Sequence, residues 1–253
     1  MAQYDAIAHV YDRLNAELDY HAWADFVEAC FDRHLSVRPS LVLDLACGTG
    51  SMTHALAARG YDMIGVDRSP EMLTEAYARA GEAMPLFLCQ DMRSFELYGT
   101  VGAAVCCLDS INYLTGDGDL AACFATVHNY LDPDGLFLFD VNTPYKFAHV
   151  YGDNAYILED EIDGRAVWCG WQNSYDAATG LCDFYLTLFE EDASGRYRRT
   201  EETQHERCFT HDTLLSALTT AGFAHLGTYA DYAFTAPGER TERWYIAARA
   251  IKH

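Results

Sequence analysis

Four acidic residues each follow or close a short apolar run in the first half of the chain: Asp44, Asp67, Asp91 and Asp109. Asp44 lies in Leu41-Val42-Leu43-Asp44-Leu45, which runs into the turn Ala46-Cys47-Gly48-Thr49-Gly50. Glycines after a strand let the backbone turn tightly and approach a ligand closely. A pyrophosphate-binding turn wants a third glycine where this chain has Thr53, and it has no use for a carboxylate beside its phosphates. A carboxylate at Asp44 suits a cationic ligand instead. Asp67 closes the second run, Met63-Ile64-Gly65-Val66, where a carboxylate accepts both hydroxyls of a ribose or simply caps a helix. Gln90-Asp91-Met92 pairs an acceptor for an exocyclic amino group with an apolar cover for a ring. Cys107-Leu108-Asp109-Ser110-Ile111-Asn112-Tyr113 is the fourth such terminus. In open α/β sheets, ligands bind at the carboxyl ends of the strands.

The elements needed to position these groups are legible in the pattern. Ile7, Val10, Tyr11 and Leu14, then Trp23, Phe26, Val27 and Cys30, recur at helical spacing, so the first 40 residues read as helices. Ser51 to Arg59 reads as a helix closed by Gly60; Ser69 and Pro70 open another as N-cap and first helical residue. Apolar strands at 41–45, 63–66, 86–89, 103–108 and 136–141 alternate with helices, the last around 119–130, and imply a parallel sheet covered on both faces. The pattern changes at 155–208. Aromatic, β-branched and polar residues mix there, with turn signals at Asp163-Gly164, Thr179-Gly180 and Ser194-Gly195, which reads as an antiparallel meander. A helix at 210–221 and strands near 226–234 and 244–250, joined at Pro237-Gly238, close the chain as an antiparallel hairpin.

The formal net charge is −21, from 38 acidic and 17 basic residues. Such a surface repels phosphate backbones and argues against a nucleic-acid partner. Nine cysteines, with no C-x-x-C pair and several inside apolar runs, read as free thiols in a reducing compartment rather than disulfides or a zinc site. The amphipathic N-terminus is unlike a signal peptide, and no apolar stretch reaches the ~20 residues needed to cross a bilayer. The expectation is a cytoplasmic protein with no membrane partner and no metal.

Together these motifs make the chain resemble the class I S-adenosylmethionine-dependent methyltransferases. The likeness is to the small-molecule branch with methyltransferase domains of type 25. It rests on Asp44-Leu45-Ala46-Cys47-Gly48-Thr49-Gly50 and on Tyr4-Asp5-Ala6-Ile7-Ala8-His9-Val10-Tyr11-Asp12, and spans about residues 4–142 well and the final helix and hairpin moderately. The resemblance implies a Rossmann-like doubly wound core at 39–150 and 209–253, N-terminal helices at 1–38 closing over the cofactor, and an inserted β subdomain at 151–208. It implies that Asp44, Ala46 and Gly48 flank the methionine part of S-adenosylmethionine. Asp67, with Arg68 and Met72 nearby, would hold the ribose, Asp91 with Met92 the adenine, and Leu108 with Asp109 would line the methyl-transfer end. Tyr11, Tyr20 and Trp23 would belong to the closing helices, or pack as ordinary helix residues.

The methyl acceptor is expected to be a small molecule, methylated on nitrogen or oxygen. Asn142-Thr143-Pro144-Tyr145 follows the fifth strand rather than the fourth, so it reads as a turn and not as the N-P-P-Y signature of amino-methylating enzymes. Cys106 and Cys107 lie in an apolar strand without the proline a cytosine-C5 enzyme needs. The meander aromatics Trp168, Trp171, Tyr175, Phe184, Tyr185 and Phe189 fall on both faces by period-two counting, one set for the core and one for a pocket or a homodimer interface. Methyl transfer from an activated sulfonium needs mainly alignment and exclusion of water, and a base only if the acceptor arrives protonated. His149, His205 and Tyr145 are the weak candidates for that base, each equally readable as a surface or packing residue. An NAD-dependent oxidoreductase, disfavoured by Thr53, Asp44 and the hairpin, and a cofactor-binding protein without turnover are the alternatives.

Overall fold

In the first strand, Leu41–Leu45 (β1), every residue but the first is buried, Asp44 included. Such a strand is stable only with layers on both faces, and the computed structural model of the chain supplies them. It describes residues 7–15, 18–79, 84–162 and 164–252. Tyr4, Asp5 and Ala6 of the N-terminal motif, and Asp163 of the expected first meander turn, lie outside the described residues.

Helices α1 (Ala8–Leu14) and α2 (Tyr20–His34) precede β1. Then follow α3 (Ser51–Ala57), β2 (Asp62–Asp67), α4 (Pro70–Ala78), β3 (Leu86–Cys89), β4 (Val101–Cys106), α5 (Asp119–Tyr130) and β5 (Leu131–Asn142). Ser69 does cap α4, its hydroxyl accepting from Met72 N at 3.2 Å, with Pro70 at the first turn. Asp19 caps α2 by accepting from His21 N and Ala22 N. After β5 come the meander strands β6 (Ala155–Ile162), β7 (Arg165–Asp176), β8 (Leu181–Glu191) and β9 (Tyr197–Arg207), then α6 (His211–Thr220), β10 (Phe223–Tyr229) and β11 (Arg243–Ala250).

Seven strands form one sheet in the order β10-β11-β5-β4-β1-β2-β3, and four form a second in the order β6-β7-β8-β9. The first is parallel from β3 to β5 and antiparallel at β11 and β10. It is the mostly parallel Rossmann-like sheet with a C-terminal antiparallel pair, and β11 inserts between β5 and β10. Two details differ from the sequence reading. β5 begins at Leu131, because that residue pairs with Val101 across an irregularity before the regular ladder resumes at Leu136, so Asp132-Pro133-Asp134-Gly135 interrupts a strand rather than preceding one. No helix lies between β3 and β4 among the described residues; a loop carrying Asp91 and Arg93 fills the gap.

Apolar layers cover both faces of the sheet. α5 and α6 bury Phe124, Val127, Leu214 and Leu218 against Phe137, Phe139 and Ile246 on one side, and α2 buries Trp23, Phe26, Val27 and Phe31 against Val105, Leu138 and Tyr245 on the other. The four-stranded sheet buries Val167, Cys169, Phe184, Leu186 and Leu188 against Ile7, Val10 of α1 and Phe147. Helix α1 is thus held between the second sheet and the rim of the first.

Candidate functional site

The rim at the carboxyl ends of β1 to β4 opens into a cavity of about 200 Å³. Asp44 lies at its floor, 1 % exposed. Thr53 Oγ1 donates to Asp44 Oδ2 at 2.5 Å. The residue that departs from the pyrophosphate turn thus anchors the carboxylate. No cation among the described residues forms an ion pair with Asp44, and burial, reinforced by Asp67, pushes its carboxyl up to about 7. A buried carboxylate in this state favours an approaching positive charge.

Asp67 sits at the end of the neighbouring strand. Its Oδ2 accepts from Gly48 N at 2.8 Å and its Oδ1 from Ser69 N at 2.8 Å. These bonds fix the plane of the carboxylate and tie the glycine turn to β2, while burial raises the carboxyl against them. Each oxygen keeps a second lone pair for a hydroxyl. Gly48 and Gly50 both take left-handed backbone, φ +54° and +74°, which favours glycine. Ala46, Leu108 and Asp109 adopt the same region at φ +56°, +57° and +52° without being glycine. Strain of this kind persists only where neighbours enforce it; at Asp109 its backbone N–H donates to Asp140 Oδ2 at 2.9 Å.

The far end of the cavity carries Asp91, Met92, Arg93 and Asp119. Arg93 grips Asp91 with two bonds, Nε to Oδ1 at 2.8 Å and Nη2 to Oδ2 at 2.6 Å, and reaches Asp119 at 3.1 Å. This pairing holds the Asp91 carboxyl below the usual carboxylate range. Asp91 lines the cavity, then, as part of a charged clamp that the sequence reading missed. Arg68 and Met72 also line it, as do Tyr11 and Tyr20.

Two residues assigned to this cavity stand elsewhere. Trp23 is 2 % exposed and packs against Tyr232 and Tyr245 at ring distances of 5.5 and 5.9 Å; helical spacing placed it on the buried face of α2 rather than at the opening. Asp109 faces a second cavity and pairs with Arg243 at 2.7 Å. Above the rim, Asp12 of α1 accepts from Thr49 Oγ1 at 2.8 Å and Ser51 Oγ at 3.2 Å and pairs with Arg79 beyond α4. This latch fastens the N-terminal helix to the glycine turn.

The second cavity, about 390 Å³, lies between the rim and the inner face of the meander. It shares Tyr11, Leu108 and Tyr113 with the first. Asp109, Lys146, Tyr151, Trp171, Gln204, Glu206 and Arg243 bring its polar atoms. Arg243 bridges Asp109 and the fully buried Asp140. Tyr113 OH donates to Gln204 Oε1 at 2.9 Å. The Trp171 indole N–H is buried and has no acceptor among the described residues. A short segment, Lys146–Tyr151, forms a wide turn in which Gly152 N donates to Phe147 O, and it sends Lys146, Val150 and Tyr151 to the wall. Such wide turns are frequent at functional sites.

The base candidates fare differently. His205 points to the outer face of β9, exposed, 2.6 Å from Asp183. Strand alternation turns its neighbours Gln204 and Glu206 inward instead. His149 is exposed and packs its ring at a tilt against Tyr145, 4.9 Å between centroids, and neither lines either cavity. Asn142, read as part of a turn, is fully buried and bonds to Lys146, Tyr151 and Glu206. Lys146, Glu206 and Arg243 had no local signal in the sequence, since three separate elements deliver them.

The first cavity, lined by the carboxylates of Asp44 and Asp67, thus adjoins a second polar chamber at the carboxyl edge of a Rossmann-like sheet. A methyltransferase-domain family model matches residues 42–135. YqeM of Bacillus subtilis (strain 168), named as a methyltransferase, is 34% identical across 98% of both chains. The solved structure of an S-adenosylmethionine-dependent methyltransferase from Clostridium acetobutylicum ATCC 824 superposes with a TM-score of 0.85 at 31% identity, covering 98% of this chain and 99% of that one. A dTDP-3-amino-3,4,6-trideoxy-alpha-D-glucopyranose N,N-dimethyltransferase from Streptomyces venezuelae is 33% identical over 63% of this chain and 66% of its own length. The chain belongs to the S-adenosylmethionine-dependent methyltransferases, and S-adenosylmethionine is its cofactor. Nothing favours the oxidoreductase reading. No helix is long and apolar enough to cross a membrane among the described residues.

Proposed function

We propose that this enzyme methylates a nitrogen or oxygen of a small molecule seated in the second cavity, mainly by alignment and exclusion of water. The observation that carries this reading is the meeting of the two cavities at Tyr11, Leu108 and Tyr113. S-adenosylmethionine supplies a methyl group already activated on a sulfonium. Asp44 and the Ala46–Gly48 bend take its cationic amino-acid end, Asp67 with Met72 nearby its ribose, and Asp91 and Met92 its adenine. The strained Leu108-Asp109 pair forms the wall at the junction. Asp12 and its latch hold α1 over the rim, so that Tyr11 closes the junction against water.

A small acceptor fits a chamber of this volume roofed by the meander, and several relatives are named for methylation of amino sugars and of glycine or sarcosine. The acidic surface disfavours a nucleic-acid acceptor. Trp168, Tyr185 and Phe189 lie half-exposed together on the outer face of the meander, Trp168 opposite Phe189, and we assign that face to a homodimer of a cytoplasmic enzyme. The test of function is production of S-adenosylhomocysteine from S-adenosylmethionine with panels of small amines and alcohols, against a protein and a nucleic-acid extract. Turnover confined to an extract would overturn the small-molecule assignment.

A further inference from the structure

The second cavity holds a carboxylate and an ammonium that the protein keeps apart. Glu206 is 2 % exposed, and Lys146 is half-buried beside it. Neither has an ion-pair partner among the described residues, whereas Asp109 and Asp140 are both paired with Arg243. Asn142 stands between them. Lys146 Nζ donates to Asn142 Oδ1 at 3.0 Å, and Asn142 Nδ2 donates to Glu206 Oε2 at 3.3 Å. The cation at the amide oxygen polarises the amide, and its nitrogen holds the carboxylate in place. A buried carboxylate supported by one long amide bond is costly, and an incoming cation removes that cost.

Glu206 lines the second cavity on the wall that reaches the junction with the first. It is two residues from Gln204 on β9, hence on the same face, and Gln204 is bonded to Tyr113, which lines both cavities. Asp109, the other carboxylate on the wall, is occupied by Arg243. Resting on the methyltransferase reading above, we propose that Glu206 receives the acceptor nitrogen and takes its proton, which makes the acceptor an amine that enters as its ammonium ion. The proton passes from nitrogen to a Glu206 oxygen. The freed lone pair forms the C–N bond as the C–S bond breaks, and that electron pair stays on sulfur. The methylated product carries the positive charge away.

The charged and titratable groups facing Glu206 are Asp109, Lys146 and Tyr151, Arg243 on β11, and Cys182 on β8. Burial raises the proton affinity of Glu206 well above that of an ordinary glutamate, and Asp109 adds to it. The Asn142 bond, Lys146 and Arg243 pull it back. A raised carboxyl narrows the gap to an ammonium, which suits it to work as a base.

The test uses the full chain saturated with S-adenosylhomocysteine, with Asp and Glu carboxyl carbons labelled with ¹³C, and methylammonium as the probe. The Glu206 resonance is assigned with Glu206→Gln and Glu206→Asp, and the shift itself is read on the unsubstituted protein, so it survives a variant that fails to fold. The expected result is a fall of the Glu206 midpoint by about one pH unit or more with methylammonium, and none with sodium at equal ionic strength. An unmoved midpoint, or a shift confined to Asp109, overturns the assignment. Binding of S-adenosylhomocysteine in the same samples separates the two layers: retained affinity with no shift removes Glu206 alone, while absent affinity removes the cofactor reading beneath it.

Discussion

The two cavities are built on opposite plans. The first draws its carboxylates from consecutive strand ends, Asp44, Asp67 and Asp91, each within a few residues of a turn. The second is assembled from α1, the 146–151 turn, the meander and β11. In the first, Asp44 has no ion-pair partner among the described residues and bonds to Thr53, while Asp67 accepts from the backbone N–H groups of Gly48 and Ser69. In the second, Arg243 already pairs with both Asp109 and Asp140, and that pairing holds the chamber together. The contrast separates a site tuned for a fixed cofactor from one whose shape depends on tertiary contacts. Substitutions in the first should therefore cost binding, and those at the Arg243 cluster should cost stability.

The largest effect falls on the Arg243 cluster. Arg243→Ala leaves Asp109 and the fully buried Asp140 unpaired, and should destabilise the protein by about 3–5 kcal/mol in urea unfolding. A loss under 1 kcal/mol would show that the cluster is not structural. On the cofactor side, Asp67→Ala should weaken S-adenosylhomocysteine binding by about 1.5–3 kcal/mol in calorimetry, the range for charge-assisted bonds. Unchanged affinity there would erase the contrast from the other direction.

A third effect is read in pH. The folded Asp44 carboxyl sits at about 7, above the ordinary value of 3.8, so the free folded protein holds a proton there that the unfolded chain releases between those values. Its contribution to stability is therefore present below pH 4 and declines as pH rises toward 7. A cationic ligand favours the ionised form, so affinity should fall about tenfold per pH unit below 7 and level off above it. A flat profile from pH 5 to 8 would remove the charge complementarity at Asp44. The smallest effect belongs to the latch. Because the Arg79 side chain is 39% exposed, Arg79→Ala should cost about 0.2–1 kcal/mol, seen as a few-fold faster release of S-adenosylhomocysteine in stopped flow.

The same contrast sets how far the sequence could be read. Apolar strand runs, capping at Ser69-Pro70 and the glycine bend place the sheet and the first cavity because their signals are local. Turn signals and mixed composition found the meander, and period-two counting put its aromatics on both faces, but packing against Ile7, Val10 and Phe147 decides that Trp171, Tyr175 and Phe184 face inward. His205 lands on the outer face of β9, because strand alternation turns Gln204 and Glu206 inward in its place. The left-handed backbone at Ala46, Leu108 and Asp109 left no trace because none is glycine, and the surrounding bonds impose it. Arg93 was adjacent to a recognised motif and still passed over, for its role appears only when Asp119 comes within 3.1 Å. Helical spacing identified Trp23 as a helix-face residue and could not say which layer that face meets.

A crystal structure of the complex with S-adenosylhomocysteine tests the central claim most directly. In that complex the amino-acid portion should lie against Asp44 and the Ala46–Gly48 bend, both ribose hydroxyls on Asp67, and the sulfur should face the junction lined by Tyr11, Leu108 and Tyr113. Density for the ligand away from Asp67, or a sulfur facing solvent instead of that junction, would contradict it.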